Sequence, residues 1–230
     1  MRYSVLACDY DGTLATEGRV PPPVLEALRD LRRSGRTLLL VTGRIQDELI
    51  QVFPDFRIFS RVILENGAVL FRPETGTARA LAGRPPDEFV RRLKELGVDP
   101  LSVGQVIVAT RQPHETTVLE VVRELGLAMH VVFNKGSVMV LPARVGKATG
   151  LDAALRELAI PPDAVVGVGD AENDVDFLER CGFSVGVANA LPSLKEQVDW
   201  VTREPEGAGV IEVVRRLLAD ELALPKEMQS

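Results

Sequence analysis

Four short apolar runs, each stopping at a polar residue, constrain this chain more than anything else in it. Val5-Leu6-Ala7-Cys8 stops at Asp9, Leu38–Val41 at Thr42, Val62-Ile63-Leu64 at Glu65, and Val165-Val166-Gly167-Val168 at Gly169-Asp170. Short runs without alternation are the pattern of strands buried on both faces. Helical patterns lie between them. Val24, Leu25, Leu28 and Leu31 share a face after Pro21-Pro22-Pro23, with Gly35 as the stop, and Gln46–Val52 precedes Pro54. Ala148, Leu151, Leu155 and Leu158 are in phase from about Lys147, and Val210, Ile211, Val214, Leu217 and Leu218 line a closing helix. Ser184–Val187 and Asp199–Thr202 read as short strands, and Lys226–Ser230 as a frayed tail. Strands alternating with helices predict a doubly wound α/β fold, a parallel sheet with helices on both faces.

The pattern changes after the third run. Arg72–Pro86 is rich in Gly, Pro, Thr and Arg and reads as a crossing segment. A helix follows, with Phe89, Val90, Leu93 and Leu96 on one face. Then come a strand at Gln105–Thr110, a helix at His114–Leu125, and strands Met129–Phe133 and Ser137–Leu141 joined by the turn Asn134-Lys135-Gly136. This predicts a small α+β module with an antiparallel sheet, residues 82–142, inserted between halves 1–81 and 143–230 of the main sheet.

A formal net charge of −6 over 230 residues argues against nucleic acid or an anionic membrane as a partner, while leaving room for a local cationic pocket. Asp9 and Asp11 interrupt the first apolar run too early for a signal peptide, and no run approaches membrane-spanning length. Cys8 and Cys181 read as reduced core residues. Together these predict a cytoplasmic chain, a monomer or homodimer.

In an open parallel sheet, ligands bind beyond the carboxyl ends of the strands. The polar residues that end the runs would gather there. Asp9 and Asp11 are two residues apart at a strand tip. At 4 Å and an effective dielectric of roughly 20, two such charges repel by about 4 kcal/mol, which a divalent cation would offset. Asp170 and Asp174 add carboxylates, Thr42 a hydroxyl and Lys147 an ammonium. Carboxylates for Mg²⁺, a hydroxyl and an ammonium for phosphate oxygens, and one carboxylate to attack phosphorus are the parts phosphoryl transfer needs. Arg44 could pair locally or reach substrate. Arg111 and Lys135, in loops of the insert, could meet an anionic substrate or be solvated. His114 and His130, far from these residues, read as structural.

Asp9-Tyr10-Asp11-Gly12-Thr13, Thr42-Gly43-Arg44, Lys147 and Gly169-Asp170-Ala171-Glu172-Asn173-Asp174 resemble, in order, the four signature motifs of the haloacid dehalogenase superfamily. The position of the insert, with Glu65-Asn66-Gly67 and Gly186-Val187-Ala188-Asn189-Ala190, is similar to the branch with a type-two cap, the Cof-like and sugar-phosphate phosphatases. Chain length and cap size are similar to the archaeal type of phosphoglycolate phosphatase. The resemblance implies a Rossmann-like core and a Mg²⁺-dependent phosphatase acting on phosphoglycolate or a sugar phosphate. It implies Asp9 as nucleophile and Asp11 as general acid, then base. Asp9, Asp170 and the Asp11 carbonyl would hold Mg²⁺, with Asp174 behind them or acting through water. Thr42 and Lys147 would hold the phosphoryl group, and Gly43 and Arg44 complete the expected substrate-binding set. A sugar phosphomutase and a non-catalytic sensor of a phosphorylated metabolite are the alternatives.

Overall fold

The computed structural model describes residues 2–223. The chain opens with β1 (Val5–Asp9), buried along its whole length. Helix α1 (Pro22–Arg33) follows, with Val24, Leu28 and Leu31 turned inward. Next come β2 (Thr37–Val41), α2 (Gln46–Val52) and β3 (Arg61–Leu64). A hairpin of β4 (Val69–Arg72) and β5 (Thr77–Ala80) leads to the second module. That module contains α3 (Asp87–Glu95), β6 (Ser102–Val103), β7 (Val108–Arg111), α4 (Glu115–Glu124), β8 (Met129–Asn134) and β9 (Ser137–Pro142). The chain then returns through α5 (Lys147–Leu158), β10 (Val165–Gly169), α6 (Val175–Leu178), β11 (Phe183–Gly186), α7 (Pro192–Lys195), β12 (Trp200–Val201) and α8 (Glu206–Leu218).

The large sheet has the order β12-β11-β10-β1-β2-β3-β4-β5. Its first six strands run parallel, and the β4–β5 hairpin adds two antiparallel ones at the edge. β1 is central, with β2–β5 on one side and β10–β12 on the other, and an open α/β sheet forms its crevice where the strand order reverses in this way. Registers Cys8↔Val168 and Asp9↔Val41 bring the ends of β10, β1 and β2 to one level.

The small sheet, β6-β7-β9-β8, is antiparallel throughout. Its strands alternate as a two-sided sheet must. Val138 and Val140 join Phe89, Leu93, Val118 and Val121 in a core of their own under α3 and α4. Met139 and Leu141 face the other way and belong to the main core, as do Val106 and Ile107. The insert is therefore anchored by apolar contact to the large sheet as well as by its two crossings.

Several elements differ from the sequence reading. Arg72–Pro86 is not merely a crossing: Thr77–Ala80 pairs with Val69–Arg72 through a turn that Gly76 closes at φ +70°. The insert has an extra short strand, β6, and its next strand begins at Val108 rather than Gln105. The N–H groups of Gln105, Val106 and Ile107 are taken by the Glu65 carboxylate instead of a neighbouring strand. The helix after Asp174 is a single turn. Lys226–Ser230 lies outside the described residues. No described helix is long and apolar enough to cross a membrane. Both cysteines are free.

One polar tie fastens the two halves of the main domain. Glu157, near the end of α5, accepts from Arg61 Nε at 2.6 Å and from Arg72 Nε and Nη2 at 2.7 Å each. Hydrogen bonding from Arg72, opposed by burial and reinforced by Arg61, holds the Glu157 carboxyl down at about 2, from an ordinary 4.5. A depressed carboxyl contributes stability above its unfolded value and loses it as pH falls through the folded one. Glu157→Gln should lower unfolding free energy at neutral pH by about 1–2 kcal/mol, discounted for the exposed Arg72. Urea melts across pH should show the gap to wild type shrinking below 4.5 and closing near 2; a gap independent of pH would assign the tie to packing.

Candidate active site

The end of β1 delivers Asp9 to the carboxyl edge, and the chain turns at once. Gly12 sits at φ +86°, where a side chain would run into Lys135 Nζ and lie 2.7 Å from Asp170 Oδ2. The positive φ and the nearby Asp170 carboxylate both favour glycine at this turn. Asp170 arrives beside Asp9 because β10 is in register with β1.

Lys147, the first residue of α5, is buried, and its ammonium lies 2.5 Å from both Asp9 Oδ1 and Asp174 Oδ1. Asp174 Oδ2 accepts the backbone N–H groups of Asp170 and Ala171 at 2.8 and 3.0 Å. Both Asp174 oxygens are therefore committed, and the residue braces the Asp170 loop. Asp170 Oδ1 accepts from the Thr13 hydroxyl at 3.1 Å and Oδ2 from Lys135 Nζ at 2.8 Å. Asp9, Asp170 and Asp174 each offer an oxygen within 4.8 Å of the others, and all three are buried.

Electrostatics follows from this crowding. Burial, then the charge of Asp174, push the Asp9 carboxyl up to about 8, although Lys147 pulls the other way. Burial acts to lower the Lys147 ammonium, but Asp174 and Asp9 together outweigh it and leave it raised. One buried ammonium, Lys147, cannot balance three carboxylates, and the half-exposed Lys135 offsets only Asp170. The negative charge left over is carried on oxygens alone, a donor set that suits a hard divalent cation. His114 bonds the Asp99 carbonyl in the insert, so no imidazole competes from there.

Asp11 is held apart from this cluster. Arg44 grips it through Nε to Oδ2 at 2.8 Å and Nη2 to Oδ1 at 2.6 Å, a two-point contact. Thr42 is fully buried, and its hydroxyl accepts the Arg44 N–H at 3.1 Å. Gly43 lies under the Asn66 amide, where a Cβ would be 3.3 Å from it. Asp9, Asp11, Gly43 and Arg44 line a cavity of about 300 Å³ between the two sheets; Arg111, Lys135, Ser137 and Met139 face it from the insert. Thr42, Lys147, Asp170 and Asp174 are not in its wall.

Three contributors have partners that sequence reasoning did not name. Lys135, read there as meeting an anionic substrate or being solvated, reaches the Asp11 carbonyl and Asp170. Glu65, noted only as part of a motif, has both carboxylate oxygens clamping the insert backbone while its own N–H holds the Arg44 carbonyl at 3.0 Å. Asn189 donates to the Gly12 carbonyl at 2.8 Å and accepts the Glu206 N–H at 2.7 Å, tying the opening loop to α8. The signal for Glu65 and Asn189 was positional, a polar residue at a strand end; for Lys135 there was none beyond its turn.

A family model described as haloacid dehalogenase-like hydrolase matches residues 6–99 and 99–214. The phosphoglycolate phosphatase of Methanothermobacter thermautotrophicus is 30% identical over 220 residues, spanning 93% of this chain and 98% of its own. Among solved structures, a haloacid dehalogenase-like hydrolase from Bacteroides thetaiotaomicron superposes with a TM-score of 0.78 at 19% identity, over 94% of this chain and 99% of that one. A sugar phosphatase of subclass IIB superposes at 0.74 and 19% identity, over 93% and 98%. These two likenesses show the fold.

The charge imbalance has a measurable consequence. A carboxyl raised in the folded state favours folding below its unfolded value and loses that contribution as pH rises through the folded one. Without a bound divalent cation, stability should therefore fall as pH rises from 3.8 through about 8, the span of the Asp9 shift. Chemical denaturation in chelator should show this slope, and a saturating divalent cation should flatten it. An identical slope with and without cation would place the metal elsewhere.

Proposed function

We propose, from the premise that this chain belongs to the haloacid dehalogenase-like hydrolases, that it is a Mg²⁺-dependent phosphatase of small phosphorylated acids such as phosphoglycolate, working through an aspartyl-phosphate. The observation that carries the reading is the pairing of Asp9 and Asp11 in the wall of one small cavity, with Asp9 backed by Lys147 inside a buried carboxylate cluster. A cavity of about 300 Å³ is at the small end for ligand sites. Arg44, Arg111 and Lys135 around it favour a substrate with a second anionic group beyond its phosphoryl. The phosphoglycolate phosphatase relative supports the same choice.

Lys147 fixes one oxygen of Asp9. The other, with no hydrogen bond among the described residues, would attack phosphorus. The Asp9 O–P bond forms, the P–O bond to the alcohol breaks, and Asp11 gives its proton to the departing oxygen. Water then attacks phosphorus, its proton passes to Asp11, the Asp9 O–P bond breaks, and phosphate leaves. Arg44 holds both Asp11 oxygens. An anionic substrate would draw the guanidinium away and free Asp11 for these transfers. Asp9, Asp170 and the Asp11 carbonyl would hold the metal, with Asp174 bracing Asp170; when bound, Mg²⁺ would offset the charge on the phosphoryl oxygens. Residues 82–142 would serve as the cap that closes the site from water and selects the substrate.

Phosphate release from phosphoglycolate and a panel of sugar phosphates, with chelator and with Mg²⁺ restored, tests the reading. Asp9→Asn should abolish turnover and keep the fold, because uncatalysed phosphate-monoester hydrolysis is among the slowest reactions known. Activity near wild type in the purified variant would sink the assignment. Asp11→Asn should cost about 10²–10⁴-fold on an alkyl phosphate. On p-nitrophenyl phosphate, whose leaving group needs less protonation, a burst followed by slow turnover is expected. Equal single-turnover losses on both substrates would remove Asp11 as the acid.

A further inference from the structure

We propose that the ammonium of Lys135 is a tethered counter-ion seated where the divalent cation binds, so that metal entry requires the β8–β9 turn to withdraw it. The inference rests on the metal site proposed above and adds a residue to its control. Lys135 Nζ donates to the Asp11 carbonyl at 2.8 Å and to Asp170 Oδ2 at 2.8 Å. Two of the three groups assigned to the metal thus already hold a positive charge between them. The missing side chain of Gly12 makes the room, since a Cβ there would collide with Nζ.

The origin of the lysine matters as much as its tip. Lys135 and Gly136 are the two loop residues between the paired Asn134 and Ser137, with φ of +47° and +80°. That is a tight hairpin turn whose first position favours Asn, Asp or Gly. A lysine there is not explained by turn chemistry. Its side chain is 51% exposed, so its ammonium can leave the Asp170 carboxylate and the Asp11 carbonyl without disturbing a packed core. The same residue lines the cavity with Arg44 and Arg111, which gives the ammonium a second post near an anionic substrate. An ammonium and a divalent cation cannot share the Asp11 and Asp170 oxygens, because both are cations competing for the same lone pairs. The apparent dissociation constant for the metal is then the intrinsic one divided by the fraction of time the seat is open.

The test is titration of the purified full chain with Mg²⁺ alone, without substrate, by calorimetry, and in parallel with Mn²⁺ followed by electron paramagnetic resonance. Lys135→Met should tighten metal binding by about 10- to 100-fold, the factor for a seat open roughly 10% to 1% of the time. Lys135→Arg, which keeps a cation on the turn, should stay near wild type. Arg111→Met removes the same charge from the cavity but not from the seat, and should change affinity less than about twofold if pairing rather than a distant field is responsible. Thermal melts of each variant verify folding. In the wild type, Mg²⁺ should also speed amide exchange at Asn134-Lys135-Gly136. Equal affinities for wild type and Lys135→Met, equal tightening in Arg111→Met, or slower exchange on adding Mg²⁺ would each overturn the proposal while leaving the metal site standing. Absence of metal binding in both wild type and Lys135→Met would remove the metal site and this inference with it.

Discussion

One buried ammonium faces more carboxylate than it can neutralise. Lys147 touches Asp9 and Asp174, and Asp170 lies within 4.8 Å of both acids. Removing charged groups from water costs several kcal/mol per ion unless they are paired and fully hydrogen-bonded, so a cluster with surplus negative charge is unstable as a mere structural device. Its surroundings make sense as a response. Asp174 is satisfied by two backbone N–H groups, Asp170 by Thr13, and Lys135 is drawn in from the insert. The site is built to hold a cation, and in the structure it borrows one from its own chain.

The same surplus accounts for one of the contacts that join the two hydrophobic units, the one made by Lys135. The insert meets the main sheet through a rigid contact and a loose one. On the rigid side, the Glu65 carboxylate holds three consecutive N–H groups, with Val106 and Ile107 sunk in the main core. On the loose side, the contact is a half-exposed lysine at the tip of a hairpin. The cavity lies between these two attachments, with Asp9 and Asp11 on one wall and Arg111 and Ser137 on the other.

Legibility varied with how local the cause was. The buried strands read well because a continuous apolar run needs no partner to be recognised. Lys147 stood out through the motif resemblance, and its helical pattern placed the helix start only approximately. The β4–β5 hairpin was missed because Thr77–Ala80 is mostly exposed at a sheet edge and carries no apolar pattern. The strand expected from Gln105 starts later because a carboxylate forty residues upstream in sequence claims its N–H groups. Arg44, left open between a local partner and a substrate, is found on Asp11 while still lining the cavity. Nothing near Arg44 in sequence distinguished those outcomes, since both partners are anions at the same edge.

The sequence by itself determined the doubly wound sheet, with Asp9, Thr42 and Asp170 at the ends of its parallel strands. Those follow from periodicity, and from the rule that polar residues ending parallel strands share a side. Only the tertiary structure decided how the charges pair: Lys147 with Asp9 and Asp174, Arg44 with Asp11, Lys135 with Asp170. Each of these pairs except Lys147–Asp174 joins residues more than thirty positions apart, and Coulomb attraction acts on distance in space, which a run of letters does not contain.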